Sequence, residues 1–290
     1  KVIPIMWDLV KQQDADMIFM IGDNVYIDDG GGKVTEDRIW RRYTETRRVL
    51  PVFGWDQLVP VLATWDDHDY GLNDSDKSFE HNAFSGKVFR AMYAQDSFSN
   101  DSSVGPGVAT SFHWAGFHFL FTDNRSYRTA KGDRPEAHWG DAQYDWVLKQ
   151  LKGDDDPAFI FNGGQFFGDY RRGSSFEEHH PARFKKLLAD LSKQSNPVVF
   201  SSGDVHYSEI MEIEKDFLGY PTYEITSSSI HSKDKPFARP GNPRRIASVG
   251  RYNFVVVDLK RTPKGLKMDV KSIGRRGQTY FELKDLEVSK

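Results

Sequence analysis

Short continuous apolar runs alternate with amphipathic stretches along the first two thirds of the chain. Ile5, Met6, Leu9 and Val10 make one helical stripe over residues 4–13, and the run 17–21 comes next. A second helical stretch, 36–50, carries Ile39, Trp40 and Tyr43 on one side and precedes the run 61–65. Tyr144, Val147, Leu148 and Leu151 fall at i, i+3, i+4 and i+7 ahead of 158–161, and Phe184, Leu187, Leu188 and Leu191 repeat that spacing ahead of 198–200. Runs of four to six apolar residues between helices predict strands buried on both faces of a sheet. Elsewhere the period changes. Residues 108–114 and 117–122 flank Ala115-Gly116 as a hairpin, and Leu266, Met268 and Val270 alternate with Lys267, Asp269 and Lys271 after a strand at 254–259. The whole reads as one α/β domain over residues 1–290, with no internal repeat.

Composition narrows the possibilities. Hydrophobic residues make up 38% of the 290, enough for a sizeable core. No apolar run approaches the roughly 20 residues of a membrane-spanning helix. With 39 basic against 42 acidic residues, the net charge of −3 provides no footprint for nonspecific nucleic-acid binding. Cysteine is absent, which excludes disulfides, thiolate metal sites and cysteine nucleophiles. The irregular segments are 28–33 with three consecutive glycines, 71–77, and 227–250. The last gathers Lys233, Lys235, Arg239, Arg244 and Arg245 with Arg251 just beyond, and reads as a solvated surface or as a rim attracting an anionic substrate.

The polar residues at the end of each apolar run carry the chemistry. The run 17–21 ends in Gly22-Asp23-Asn24-Val25-Tyr26, and 61–65 ends in Asp66-Asp67-His68-Asp69. The run 158–161 ends in Asn162-Gly163-Gly164-Gln165, and 198–200 leads through two serines into Gly203-Asp204-Val205-His206. A single Gly-Asp after a strand is an ordinary turn, and Asp67-His68-Asp69 alone could cap a helix. Four such clusters are another matter, because ligands of open α/β sheets bind beyond the carboxyl ends of the strands. Close carboxylates raise one another's pKa and need a cation between them. Two ions sharing one aspartate would resolve the repulsion and suit an in-line displacement at phosphorus. Oxygen and imidazole donors without sulfur favour Mn, Fe, Ca, Mg or Zn. His68, between Asp67 and Asp69, suits a general acid held in orientation by a neighbouring carboxylate.

These motifs, with Asp123-Asn124-Arg125-Ser126-Tyr127-Arg128, Gly140-Asp141-Ala142-Gln143 with Trp146, and Thr226-Ser227-Ser228-Ser229 before His231, resemble those of PhoD-like alkaline phosphatases and phosphodiesterases. That family lies within the calcineurin-like metallophosphoesterases, and the resemblance runs from Pro4 to about His231. It implies a four-layer α/β/β/α sandwich of two mixed sheets and a dinuclear centre, with Fe(III) and Ca as the family's metals. By resemblance, Asp23 bridges the metals, Tyr26 ligates one as a phenolate, and Asp67, Asp204 and His206 complete the set. Gln165 or Asn162 supplies a further ligand; Gln165 is assigned to metal and Asn162 to substrate. His68 is the acid and Asp69 its support. Arg128 and His231 are assigned to substrate, while Arg125 could equally form a structural salt bridge.

One departure stands out. PhoD-like proteins carry a cysteine iron ligand at the end of a first strand, whereas this sequence opens at the helix after it, so either that strand is missing from the sequence or the metal has a different ligand shell. The expected activity is metal-dependent hydrolysis of a small or polymeric phosphoester. The alternative is a non-catalytic or truncated relative that binds metal or an anion. Export to the periplasm or exterior is implied by the resemblance alone.

Overall fold

The computed structural model describes residues 2–95, 107–168, 175–232 and 241–290; Lys233, Lys235 and Arg239 lie outside them. The elements run α1 (Pro4–Lys11), β1 (Ile18–Ile21), α2 (Glu36–Val49), β2 (Val61–Thr64), α3 (Asp67–Tyr70), α4 (Asn82–Tyr93), β3 (Thr110–Trp114), β4 (Phe117–Phe121) and α5 (Gly140–Leu151). They continue with β5 (Ala158–Asn162), α6 (Phe176–His179), α7 (Pro181–Leu191), β6 (Val198–Ser202), β7 (Ser208–Ile213), α8 (Lys215–Leu218) and β8 (Thr222–Thr226). The chain closes with β9 (Arg245–Val249), β10 (Asn253–Thr262), β11 (Gly265–Gly274) and β12 (Thr279–Ser289).

A seven-stranded mixed sheet in the order β3-β4-β5-β6-β8-β7-β9 forms the centre. β4, β5, β6 and β8 run parallel, which explains their unbroken burial. Against it lies a second β layer in two pieces, the parallel pair β1-β2 and the antiparallel meander β10-β11-β12. Phenylalanines join the layers: the Phe19 ring meets those of Phe161, Phe121, Phe119 and Phe112 at 5.0, 5.3, 5.4 and 6.5 Å, three of them edge-on. Leu266, Met268, Val270 and Val288 of the meander enter the same core, as do Val147 and Leu151 of α5 and Leu187 and Leu191 of α7. α2 and α4 pack Ile39, Tyr43, Val88 and Phe89 around Trp65 in a separate cluster. The architecture is thus α/β/β/α.

Local chemistry accounts for the element ends. Thr35 caps α2 by accepting the Arg38 amide, with Glu36 and Asp37 in its first turn and Arg47 and Arg48 in its last, matching the helix dipole. Ala115 and Gly116 both have positive φ, 52° and 77°, as a two-residue hairpin turn requires. β7 and β8 escape a reading of apolar runs because each contains a buried glutamate. Glu209 is paired with Arg245, and Glu224 accepts the amides of Phe166 and Phe167. No helix among the described residues is long and apolar enough to cross a membrane.

Candidate metal centre

The strand ends converge because glycine lets their backbones touch. The Gly203 amide donates to the Gly163 carbonyl at 2.8 Å, and a Cβ on Gly203 would overlap the Ile21 carbonyl oxygen. A Cβ on Gly163 would likewise run into the Trp65 carbonyl and the Asp66 side chain. The ends of β1, β2, β5 and β6 are thereby drawn into one cluster. Asp23, Asp204 and His206 sit at φ of 52°, 66° and 60°, left-handed conformations that cost energy in a non-glycine residue and recur at functional sites.

Asp23, Asp66, Asp67 and Asp204 each present one oxygen such that all four lie within 4.8 Å of one another, and Asp23, Asp67 and His68 form an overlapping set. The Tyr26 hydroxyl donates to Asp23 Oδ2 at 3.1 Å and lies 3.1 Å from His206 Nε2. The only guanidinium paired with these carboxylates among the described residues is Arg125, whose Nε donates to Asp66 Oδ1 and whose Nη2 lies 3.8 Å from Asp67 Oδ2. Even with Arg128 also near Asp66, Asp67 and Asp204, four carboxylates leave a surplus of negative charge. Burial, then Asp67 and Asp66, push Asp23 up to about 6, against the lowering effect of the His206 imidazole, whose Nε2 lies 3.9 Å from Asp23 Oδ2. Burial and the same neighbours raise Asp204 well above the carboxylate range. Burial also raises Asp67, but Arg125, His68 and the Asp74 amide outweigh it and hold it low. Burial and Asp23 raise the Tyr26 phenol.

A hard cation fits this set. Asp23 Oδ1, Asp66 Oδ2 and Gln165 Oε1 are buried without a hydrogen-bond partner, and buried acceptors are rarely left so. Gln165 is fixed through its amide nitrogen, which donates to Glu209 Oε1 at 2.7 Å and Thr226 Oγ1 at 3.0 Å, leaving its oxygen as the open donor.

Several residues assigned to the site by sequence meet a different environment. Asp69 does not hold His68. It turns back to accept the amides of Val25 at 2.7 Å and Asp66 at 3.0 Å, because successive residues of α3 point about 100° apart. Asp28 takes that place, with Oδ1 2.7 Å from His68 Nδ1. Asn162 is fully buried and its amide is spent: its oxygen accepts from Thr122 and Trp139, and its nitrogen donates to the Gly164 carbonyl. His231 belongs to the α1 contact, its Nε2 accepting the Trp7 indole N–H at 2.8 Å. Arg125 is the salt-bridge residue. Arg128 is buried with Nη1 unpartnered, and burial and Arg125 lower it to about 10.

Sequence reasoning alone singles out neither Asp66 nor Asp28. Asp66 has a signal, since it stands first in Asp66-Asp67-His68-Asp69 directly after β2. Asp28 has none, because it opens a glycine-rich segment indistinguishable from a surface turn.

No protein-family model matches the sequence, and no curated protein matches it. Solved structures do. PhoD superposes with a TM-score of 0.69 at 16% identity, over 99% of this chain and 70% of that one. A purple acid phosphatase from yellow lupin seeds superposes with a TM-score of 0.61 at 15% identity, over 97% of this chain and 48% of that one. The fold is that of the metallophosphoesterases. The carboxylate cluster lies after β1, β2 and β6 of that fold, and the open Gln165 oxygen comes after β5.

Proposed function

We propose that the chain is a metal-dependent phosphoester hydrolase with a dinuclear centre. The observation that carries this reading is the convergence of four aspartates within 4.8 Å, two of them with buried, unpartnered oxygens. Asp23 lies in the four-carboxylate cluster and also accepts the Tyr26 hydroxyl, which meets His206, and is the residue to hold both ions. Tyr26 and His206 would complete its ligands together with Asp66, Asp67 and Asp204, with Gln165 a further oxygen donor. Bound metals would supply water activation and charge neutralisation at phosphorus. Iron and calcium are carried over from the sequence resemblance; the donors suit Mn, Mg and Zn as well.

His68 is the proton donor to the leaving oxygen in this proposal. Asp28 fixes Nδ1, so Nε2 is the atom free to give up a proton, and the Tyr26 ring 4.4 Å away limits the imidazole's swing. The unpartnered Arg128 nitrogen is the candidate contact for phosphate or for charge developing on it. A panel of chromogenic phosphomonoesters and diesters, run with elemental analysis of the purified protein, tests the assignment. Turnover that disappears on chelation and returns with metal is expected; bound metal with no turnover on any ester would favour the non-catalytic alternative.

His68→Ala is expected to retain bound metal and to slow esters with poor leaving groups about 10²–10⁴-fold, while p-nitrophenyl esters lose far less. Asp28→Asn should give the same pattern more weakly. Equal slowing of both ester classes would count against the proton-donor role.

A further inference from the structure

A second group of metal-type ligands lies at the opposite end of the central sheet. His113 of β3 and His118 of β4 are directly paired across the hairpin, their rings 3.9 Å apart and 25° from parallel. His118, the second residue of β4, stands opposite Ala158, the first residue of β5, whereas the aspartate cluster lies beyond the other ends of these strands. Five residues of strand, roughly 16 Å, separate the two places. His118 is 1% exposed, and its Nδ1 lies 2.8 Å from Asp154 Oδ2. Its Nε2 is buried without a partner, so the ring's polar outlet is toward Asp154. His113 Nε2 lies 3.8 Å from the same oxygen, and His113 Nδ1 lies 3.4 Å from Asp156 Oδ2. Asp154 is itself held, since its Oδ1 accepts the Asp156 amide at 3.0 Å.

We propose that His113, His118 and Asp154 form a separate divalent-cation site, for which Zn²⁺ is the best-suited ion. One donor atom from each side chain lies within 4.8 Å of the other two. Ligand atoms around a tetrahedral Zn²⁺ are roughly 3.4 Å apart, from bond lengths of about 2.0–2.1 Å. The 2.8 and 3.8 Å separations about Asp154 Oδ2 bracket that value, so small shifts suffice. Two imidazoles and a carboxylate select a borderline ion over Mg²⁺ or Ca²⁺, which prefer oxygen throughout. The buried His118 and the tethered Asp154 are the fixed part. His113 is half-exposed and has room to turn its ring so that its lone pair meets theirs. Asp156, which also faces Arg261, supplies a fourth donor or orients a water.

The site joins the β3–β4 hairpin to the segment entering β5, so an ion there would stabilise the native state by mass action. It uses none of the groups assigned to hydrolysis, and its test is independent of that assignment. Zn²⁺ bound at equilibrium is counted by dialysis and elemental analysis in the wild-type protein, His113→Ala, Asp154→Asn and Asp23→Ala. His113→Ala removes a half-exposed ring, and Asp154→Asn retains the oxygen that accepts the Asp156 amide, so neither opens the core. Each is expected to bind one equivalent less, or that equivalent at least about tenfold more weakly, and to lose the corresponding rise in melting temperature. The same decrement is expected when either change is added to Asp23→Ala. Zn²⁺ stoichiometry and affinity unchanged from the parent in both backgrounds would overturn the site.

Discussion

Asp23→Asn is expected to lower phosphoester turnover by about three orders of magnitude, equivalent to roughly 4 kcal/mol of transition-state stabilisation. Asp23 lies in both overlapping donor sets, as Asp67 does, and in addition accepts the Tyr26 hydroxyl, which itself meets His206. Among the described residues no other carboxylate of the cluster is bonded to the Tyr26 hydroxyl, so the loss of Asp23 removes an oxygen from the carboxylate cluster and the link to Tyr26 together. Asparagine is the informative replacement because it tolerates the left-handed backbone at this position, where alanine would add strain of its own. The change also has a stability signature. In chelator, the variant should melt above the wild-type protein, since one of four crowded carboxylates is neutralised. In the presence of metal the order should reverse, because the wild-type protein gains binding energy that the variant has lost. Retained turnover in metal-depleted Asp23→Asn, or a melting order that ignores chelator, would refute the role assigned to Asp23.

The legible part of this centre is its chain order. Apolar runs ending in Asp23, Asp67 and Asp204 reveal both the strands and the side of the sheet on which their loops gather, because parallel strands must all deliver their carboxyl ends to one edge. β9 falls inside the segment 227–250 read as irregular, whereas β7 and β8 are hidden by burial of charged groups. Glu209 and Glu224 hide β7 and β8 from a reading of hydrophobicity, yet each is fixed by partners far away in sequence. The same non-locality hides the partner of His68. Adjacency along the chain favours Asp69, while the fold turns Asp69 toward the β1–β2 loops and brings Asp28 across 40 residues. Asn162 and His231 are residue types suited to a site, but their polar atoms are taken up by Trp139 and Thr122 in one case and by Trp7 in the other. Residue type is readable from sequence; which polar atom remains unsatisfied is not, and unpartnered oxygens are what support the proposed donor role of Asp23, Asp66 and Gln165.

Gly203→Ala is expected to be the most damaging single-methyl addition among the described glycines, either preventing accumulation of folded chain or abolishing metal binding in what folds. The added Cβ would overlap the Ile21 carbonyl oxygen and approach the Gly163 carbonyl at 3.2 Å, and both neighbours are backbone with no rotamer into which to retreat. Relief requires β6 to move away from β1, and that motion carries Asp204 and Asp23 apart, since each lies within two residues of the collision. The Gly203–Gly163 hydrogen bond would stretch with it. Overpacking of this kind costs about 1–3 kcal/mol where side chains can adjust, and more where they cannot. Gly54→Ala is the matched control, because nothing lies within 4 Å of its Cβ position. Urea denaturation and metal content of both variants check the expectation: Gly54→Ala should match the wild-type protein within about 0.5 kcal/mol. A folded Gly203→Ala protein with full metal occupancy would mean that the strand ends need not touch for the carboxylates to meet, and the account of how this fold assembles its centre would fall with it.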